Sequence, residues 1–82
     1  MSHQIIWHPK AAKYLEKLPK NISERILAKF NEVIIEPFRY LEHFEGDYYK
    51  LRIGEYRALI DIDFENKILK VQVFDNRERV YN

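Results

Sequence analysis

The spacing of apolar residues changes once along the chain, from a helical repeat in the first half to a strand repeat in the second. Residues 3–8 are partly β-branched and aromatic, which predicts a short first strand. Pro9 follows at the favoured first position of a helix. The next apolar residues recur at helical spacing and form one stripe: Ala11, Tyr14, Leu15 and Leu18. The chain therefore opens with a strand and an amphipathic helix that Pro19 ends.

A second helix is predicted between Asn21 and Pro37. Asn21 is followed three residues later by Glu24, which approximates a capping box at a helix start. The buried stripe of this helix again has helical spacing: Ile22, Ile26, Phe30, Val33 and Ile34. Pro37 bounds the helix because proline cannot donate the hydrogen bond that a helix interior needs.

Beyond Gly46 the apolar repeat shortens to two residues, the spacing of strands. Three strands are predicted, at residues 48–53, 56–64 and 68–74. Gly54-Glu55 joins the first two and suits a two-residue type II′ hairpin. The pattern as a whole predicts an α+β fold in the order β-α-α-β-β-β. Two N-terminal helices pack on one face of a small antiparallel β-sheet, which the first strand joins.

Composition narrows the class of protein. A chain of 82 residues builds one modest core, so residues 1–82 are expected to form a single domain. There is no cysteine, and the three histidines lack the spacing of a metal site, so neither disulfides, metal nor cofactor are expected. No apolar run approaches the ~18 residues of a membrane helix. The first residues do not resemble a signal peptide, so a cytoplasmic protein is expected.

The cations are informative through their positions, because 14 Lys and Arg residues nearly balance 13 Asp and Glu residues. Lys50 and Arg52 are two apart in a predicted strand, so their side chains share one face. Arg57 follows the hairpin turn, and Arg77 and Tyr81 follow the last apolar run. If they converge, they form a phosphate-sized positive pocket beside an aromatic ring, which indicates a site that binds or cuts RNA.

Each of these residues also has an ordinary structural interpretation. Lys50 and Arg52 can be solvent-face charges of a half-exposed strand, where they discourage aggregation. Arg57 can pair with a nearby carboxylate, for which Glu55, Asp61 and Asp63 are available. Arg77 can belong to a solvated tail, and Tyr81 can be a packed terminal aromatic. The order of the residues along the chain, rather than any one of them, carries the hypothesis.

Three segments, spread over nearly the whole chain, resemble the RelE branch of the RelE/ParE superfamily, toxins of bacterial and archaeal toxin–antitoxin modules. Residues 7–18, WHPKAAKYLEKL, are similar to the opening strand and helix of that family. Residues 49–57, YKLRIGEYR, match its most specific motif, Y-K/R-L-R-x-G-x-Y-R. Residues 74–81, FDNRERVY, resemble its closing R-x-x-VY segment.

The resemblance implies a ribosome-dependent, metal-independent endoribonuclease that cleaves mRNA in the A site through the ribose 2′-hydroxyl. It assigns catalytic roles to five residues. Lys50 and Arg52 help to activate the hydroxyl and hold the backbone, Arg57 binds the scissile phosphate, Arg77 protonates the leaving oxygen and Tyr81 stacks on the substrate. Well-studied members carry lysine where Arg52 stands. Because arginine is almost never deprotonated, a base role falls to Lys50.

The resemblance also implies protein partners. A RelB-like antitoxin is expected to bind the chain in a toxin–antitoxin complex, with a heterotetramer as the expected stoichiometry, and the ribosome and mRNA are expected targets. Two alternatives stay open. One is a ParE-like inhibitor of DNA gyrase without nuclease activity, against which the joint presence of Lys50, Arg52, Arg77 and Tyr81 argues. The other is a catalytically silent member that only binds RNA or its antitoxin.

Overall fold

The structure, a computed structural model, describes residues 3–76. Three helices and five strands follow one another as β1 (Gln4–Trp7), α1 (Pro9–Glu16), α2 (Lys20–Val33), α3 (Pro37–Tyr40), β2 (Glu42–Glu45), β3 (Tyr48–Ile53), β4 (Tyr56–Asp63) and β5 (Ile68–Asp75). The predicted α+β class is confirmed. The short elements α3 and β2 were not predicted, and they occupy the polar connection before β3.

All five strands belong to one sheet in the order β1-β5-β4-β3-β2. The β3–β4 and β4–β5 pairs are antiparallel, as predicted, and the β2–β3 pair, which was not predicted, is antiparallel as well. By contrast, β1 runs parallel to β5. The first strand does join the sheet, but through this parallel pairing, so the sheet is mixed. The edge strand β2 is exposed along its whole length.

The two long helices begin differently. At α1 the ring nitrogen Nδ1 of His8 accepts a hydrogen bond of 3.1 Å from the backbone N–H of Lys10, and Pro9 takes the first helical position. The capping box predicted at Asn21 and Glu24 is wrong. Helix α2 begins at Lys20, directly after Pro19, and has no side-chain cap. Asn21 therefore lies inside the first turn, where its side chain is not at the capping position.

The core lies between the helices and the inner face of the sheet. Its most deeply buried large side chains come from α2, β4 and β5: Ile26, Val33, Ile60, Ile62, Leu69 and Val71. Trp7 packs against the core. Its ring lies edge-on to Phe30 at 4.9 Å and to Phe74 at 5.7 Å between ring centroids. Among the described residues, no helix is long and apolar enough to cross a membrane.

The turn between β3 and β4 sets the geometry of the outer sheet face. Gly54 has a positive φ of +58° and Glu55 does not have a positive φ. This is the combination that a type II′ turn requires. Because this turn has only two residues, Arg52 pairs directly with Arg57 across the hairpin, and Lys50 pairs with Leu59. The local turn chemistry thus places residues from two strands side by side.

Candidate functional site

Three of the predicted site residues lie on the outer face of the sheet, opposite the helices. Leu51, between Lys50 and Arg52, is 3% exposed and faces the core, so its two neighbours face outward. Arg57 joins them through its pairing with Arg52. Pairing of like charges directly across strands is unfavourable. Its presence here is a first indication that the face serves a negatively charged ligand.

The three cations line one open cleft of about 310 Å³. Its wall is completed by two residues from the elements that the pattern did not predict, Tyr40 at the end of α3 and Glu42 at the start of β2. The structure therefore brings Lys50, Arg52 and Arg57 together as predicted. The catalytic roles assigned to them remain predictions.

Glu42 is the acidic member of this cleft. It pairs in register with Lys50, and its Oε1 lies 3.8 Å from the Lys50 Nζ. The Lys50 ammonium also lies 5.8 Å from the centre of the Phe44 ring. These contacts hold a side chain that is 30% exposed. Glu42 therefore offsets part of the positive charge of the cleft next to the Lys50 amine.

The two arginines contact the hairpin backbone. Arg52 Nε donates to the carbonyl oxygen of Gly54 at 3.3 Å, and Arg57 Nη1 donates to the carbonyl oxygen of Glu55 at 3.2 Å. These bonds orient both guanidiniums relative to the hairpin backbone. Such oriented guanidiniums suit phosphate, to which arginine donates paired hydrogen bonds.

Tyr40 is the aromatic residue that the sequence did not reveal. The Lys29 Nζ lies 4.6 Å from the centre of its ring, and the Arg39 Cζ lies 5.8 Å from it. The ring therefore forms an aromatic wall of the cleft with two further cations against it. No periodic signal marks Tyr40 or Glu42, since α3 and β2 have only four residues each.

Arg77 and Tyr81 lie outside the described residues, so the roles predicted for them stay predictions. Strand β5 ends at Asp75, which pairs in register with Arg57. Over residues 3–76, no group of three or more His, Asp or Glu side chains is placed to hold a metal ion.

Comparison with known proteins gives the class of this fold and site. The family model of the ParE toxin of the type II toxin–antitoxin system parDE matches residues 5–81. The chain therefore belongs to this family: it is a toxin of the RelE/ParE superfamily from a type II toxin–antitoxin system. Comparison with curated proteins finds no significant match.

Solved structures of RelE–RelB complexes share the fold. The RelBE2 complex of Mycobacterium tuberculosis matches with a TM-score of 0.82 and 25% identity, covering 94% of this chain and 100% of that one. The RelE–RelB complex of Pyrococcus horikoshii has a TM-score of 0.78 and 25% identity, covering 98% and 100%. The intact RelBE complex of E. coli has a TM-score of 0.79 and 22% identity, covering 95% and 100%.

Proposed function

We propose that this toxin is a ribosome-dependent endoribonuclease of the RelE type, which cuts mRNA in the A site and so inhibits translation and growth. The observation that carries the proposal is the convergence of Lys50, Arg52 and Arg57 in one exposed cleft. No metal or cofactor is required, because RNA supplies its own nucleophile in the 2′-hydroxyl beside each phosphate.

The cleft fits the electrostatic demands of that reaction. Attack of the 2′-oxygen on the adjacent phosphorus forms a 2′,3′-cyclic phosphate and releases the 5′-oxygen, which takes up a proton. Negative charge grows on the phosphoryl oxygens in the transition state, and oriented cations stabilise it. Arg57 and Arg52 supply the positive charge that stabilises these oxygens. In its neutral amine form, Lys50 is the proposed acceptor of the 2′-hydroxyl proton. Arg77 is the proposed donor to the leaving oxygen, and it recovers its proton from solvent.

The ribosome has a defined part in this scheme. The described part of the site consists of three cations, one glutamate and one tyrosine on an open surface, with no deep pocket that could align an RNA chain in line for attack. Alignment of the reacting atoms contributes a large share of the barrier reduction in such reactions. We propose that the ribosome holds the message in that geometry and the toxin supplies the charges.

The proposed protein partner is a RelB-like antitoxin encoded beside the toxin. The similar structures from M. tuberculosis, P. horikoshii and E. coli are all complexes of this kind. An antitoxin that covers the cationic cleft would prevent cleavage of every translated message in the cytoplasm, the proposed compartment. A heterotetramer of two toxins and two antitoxins is the proposed assembly.

A second candidate is supported by the family model itself, which describes ParE toxins. In that case the chain would inhibit DNA gyrase without cutting RNA, and the cations would contact protein or DNA. The shared superfamily fold does not separate the two activities, because function depends on the site rather than on the fold.

One experiment separates these candidates. The purified toxin, freed from its antitoxin and refolded, is added to ribosomes programmed with a defined mRNA, and primer extension maps the products; the same sample is tested for inhibition of gyrase supercoiling. We expect cleavage at the A-site codon, none of the naked mRNA, and undiminished supercoiling. Folded toxin that leaves the message intact and blocks supercoiling would establish the gyrase candidate instead.

Tyr81 provides a test of substrate stacking. If its ring stacks on a base, Tyr81→Ala should lose about 1–3 kcal/mol of substrate interaction, while Tyr81→Phe retains the ring and most of the activity. Cleavage rates on programmed ribosomes would measure both. Equal rates for the wild type and the two variants would remove Tyr81 from the site.

A further inference from the structure

At the end of the sheet formed by the β2–β3 and β4–β5 turns lies a cluster of aromatic rings, here called the aromatic end; its members Tyr49 and His43 adjoin the cleft residues Lys50 and Glu42 in the chain. Phe38 and Phe64 stack with their centroids 5.9 Å apart and their planes 3° from parallel. Tyr49 lies edge-on to Phe38 at 5.9 Å and to Phe64 at 6.1 Å, and His43 lies edge-on to Tyr49 at 5.1 Å. Phe38 is 58% exposed and Phe64 48% exposed. Two adjacent, half-exposed phenylalanines are characteristic of a surface that is covered in a complex.

This end of the sheet is acidic. The turns that join β2 to β3 and β4 to β5 lie there, because Tyr48 pairs with both Glu45 and Asp61, and the Ile62 N–H donates to the Asp47 carbonyl at 3.0 Å. Five carboxylates belong to these segments: Glu45, Asp47, Asp61, Asp63 and Glu65. Two lysines accompany them, Lys67 and Lys70. Asp61 and Asp63 alternate with the buried Ile60 and Ile62 and face the outer side of the sheet, whereas Glu45, Asp47 and Glu65 lie at the turns. The turns at the aromatic end therefore carry a surplus of negative charge.

One of these carboxylates is fixed in place. Asp63 accepts hydrogen bonds from the side chain of Asn66 at 2.9 Å and from its backbone N–H at 3.0 Å. The bonds from the Asn66 side chain and backbone lower the pKa of Asp63, so its carboxylate is ionised at neutral pH. The negative charge next to Phe64 is thus a stable feature of the turn.

The acidic turns and Arg57 lie apart along the sheet. Six residues along β4 separate Arg57 from Asp63, which corresponds to about 20 Å at ~3.3 Å per residue. Charges so far apart are screened from each other at physiological salt, where the Debye length is about 8 Å. Lys50 lies nearer, next to Tyr49 on β3, but its side chain points to the face of the sheet opposite that of Tyr49. The near-zero net charge of the chain therefore conceals a basic cleft and a set of acidic turns.

We propose that the aromatic end is a docking surface for a basic segment of the antitoxin, one that carries Lys or Arg residues around a large apolar side chain. Charge decides between possible occupants. RNA and anionic membranes are repelled by the surplus of carboxylates, so the exposed rings are not a platform for bases. A basic protein segment buries the rings and pairs with the carboxylates at once. The inference rests on the proposed antitoxin partner but not on RNA cleavage.

The docking surface predicts that the complex is held at two sites of opposite charge. An acidic or apolar stretch of the antitoxin covers the cationic cleft, while the basic segment binds the aromatic end. The partner must then span the sheet from one end to the other. Linking two sites through one chain raises the affinity well beyond that of either site.

The test uses the co-encoded antitoxin and four forms of the toxin. Phe64→Ser removes an exposed ring, and the double variant Glu45→Lys/Glu65→Lys reverses two carboxylates at the aromatic end. The control, Glu16→Lys/Glu24→Lys, makes the same change in charge at two exposed helical positions. Calorimetry at several salt concentrations gives each affinity, circular dichroism verifies the folds, and primer extension on programmed ribosomes measures each toxin alone.

We expect Phe64→Ser to weaken antitoxin binding by about tenfold or more, the scale of an anchoring aromatic residue. The double reversal at the aromatic end should weaken binding by a similar factor at low salt and reduce its salt dependence. The control should bind within about twofold of the wild type. All variants should retain the activity of the wild-type toxin, whichever that activity is.

Three results would overturn the proposal. Unchanged affinity in both aromatic-end variants would show that the antitoxin does not contact this surface. Equal weakening in the control would attribute the effect to net charge alone. Self-association of the wild-type toxin that Phe64→Ser abolishes, with unchanged antitoxin affinity, would identify a second copy of the chain as the occupant. Absence of cleavage with normal antitoxin affinities would contradict only the nuclease assignment. Absence of any antitoxin binding to the wild type would contradict the proposed antitoxin partner itself, and this proposal with it.

Discussion

Replacement of Arg57 by alanine is expected to reduce ribosome-dependent cleavage about 10²–10³-fold, which is typical for loss of one strong electrostatic contact in a catalytic site. The reason is its position: Arg57 lies directly opposite Arg52, in the same cleft as Lys50, and its guanidinium is oriented by the Glu55 carbonyl. The measurement is the single-turnover rate of cleavage on programmed ribosomes, with saturating toxin.

Arg25→Ala is the matched control for this prediction. Arg25 is an exposed arginine of α2 that lines a separate cavity with Gly54 and Glu55 rather than the cationic cleft, so its loss removes the same charge while leaving the cleft lining intact. We expect its cleavage rate to remain within a few-fold of the wild type. Both variants should keep the wild-type circular dichroism spectrum, because surface changes of this kind alter stability by about 0.5 kcal/mol or less. Unfolding of Arg57→Ala would instead assign this arginine a structural role.

The largest effect on stability is expected from Phe30→Ala. Phe30 is 2% exposed and its ring contacts Trp7, which links α2 to the first strand. Loss of a buried phenylalanine costs about 3–5 kcal/mol, counting the transfer of the side chain and the cavity that remains. Total stability for a chain of this length is about 4–12 kcal/mol, so the variant should lose a large fraction of its stability, and near the lower end of this range it would be partly unfolded. Urea unfolding followed by circular dichroism gives the free energy of unfolding.

Phe38→Ala provides the comparison at the surface. It removes the same number of atoms from a side chain that is 58% exposed, so no cavity forms and the cost should be below about 1 kcal/mol. A similar loss of stability in the two variants would mean that the aromatic end contributes to the core rather than serving as a docking surface.

Local signals in the sequence predicted the hairpin accurately. The predicted strand at residues 48–53 coincides with β3, and the neighbouring prediction of 56–64 exceeds β4 by one residue. Both follow from two-residue alternation and from the Gly54 turn, which depend only on adjacent residues. The same local geometry places Lys50 and Arg52 on one face of the sheet and brings Arg57 opposite Arg52.

Features that depend on distant parts of the chain were not predictable in this way. Strand β2 is exposed on both faces, so no alternation of apolar residues marks it. The direction of β1 depends on its pairing with β5, which no local pattern of four residues encodes. Tyr40 and Glu42 enter the cleft through α3 and β2, and their place in the site depends on elements that the pattern does not show.

The parallel pairing of the first strand with the last has a consequence for how the toxin is made. Gln4 pairs with Ile68, so the sheet closes only after nearly the whole chain has been synthesised. Contacts between such distant residues carry a high entropic cost and form late in folding. The cationic hairpin, by contrast, is built from adjacent residues and can form early. During synthesis, β1 and α1 therefore lack the strand on which they pack, and a nascent chain that stops before β5 cannot complete the toxin.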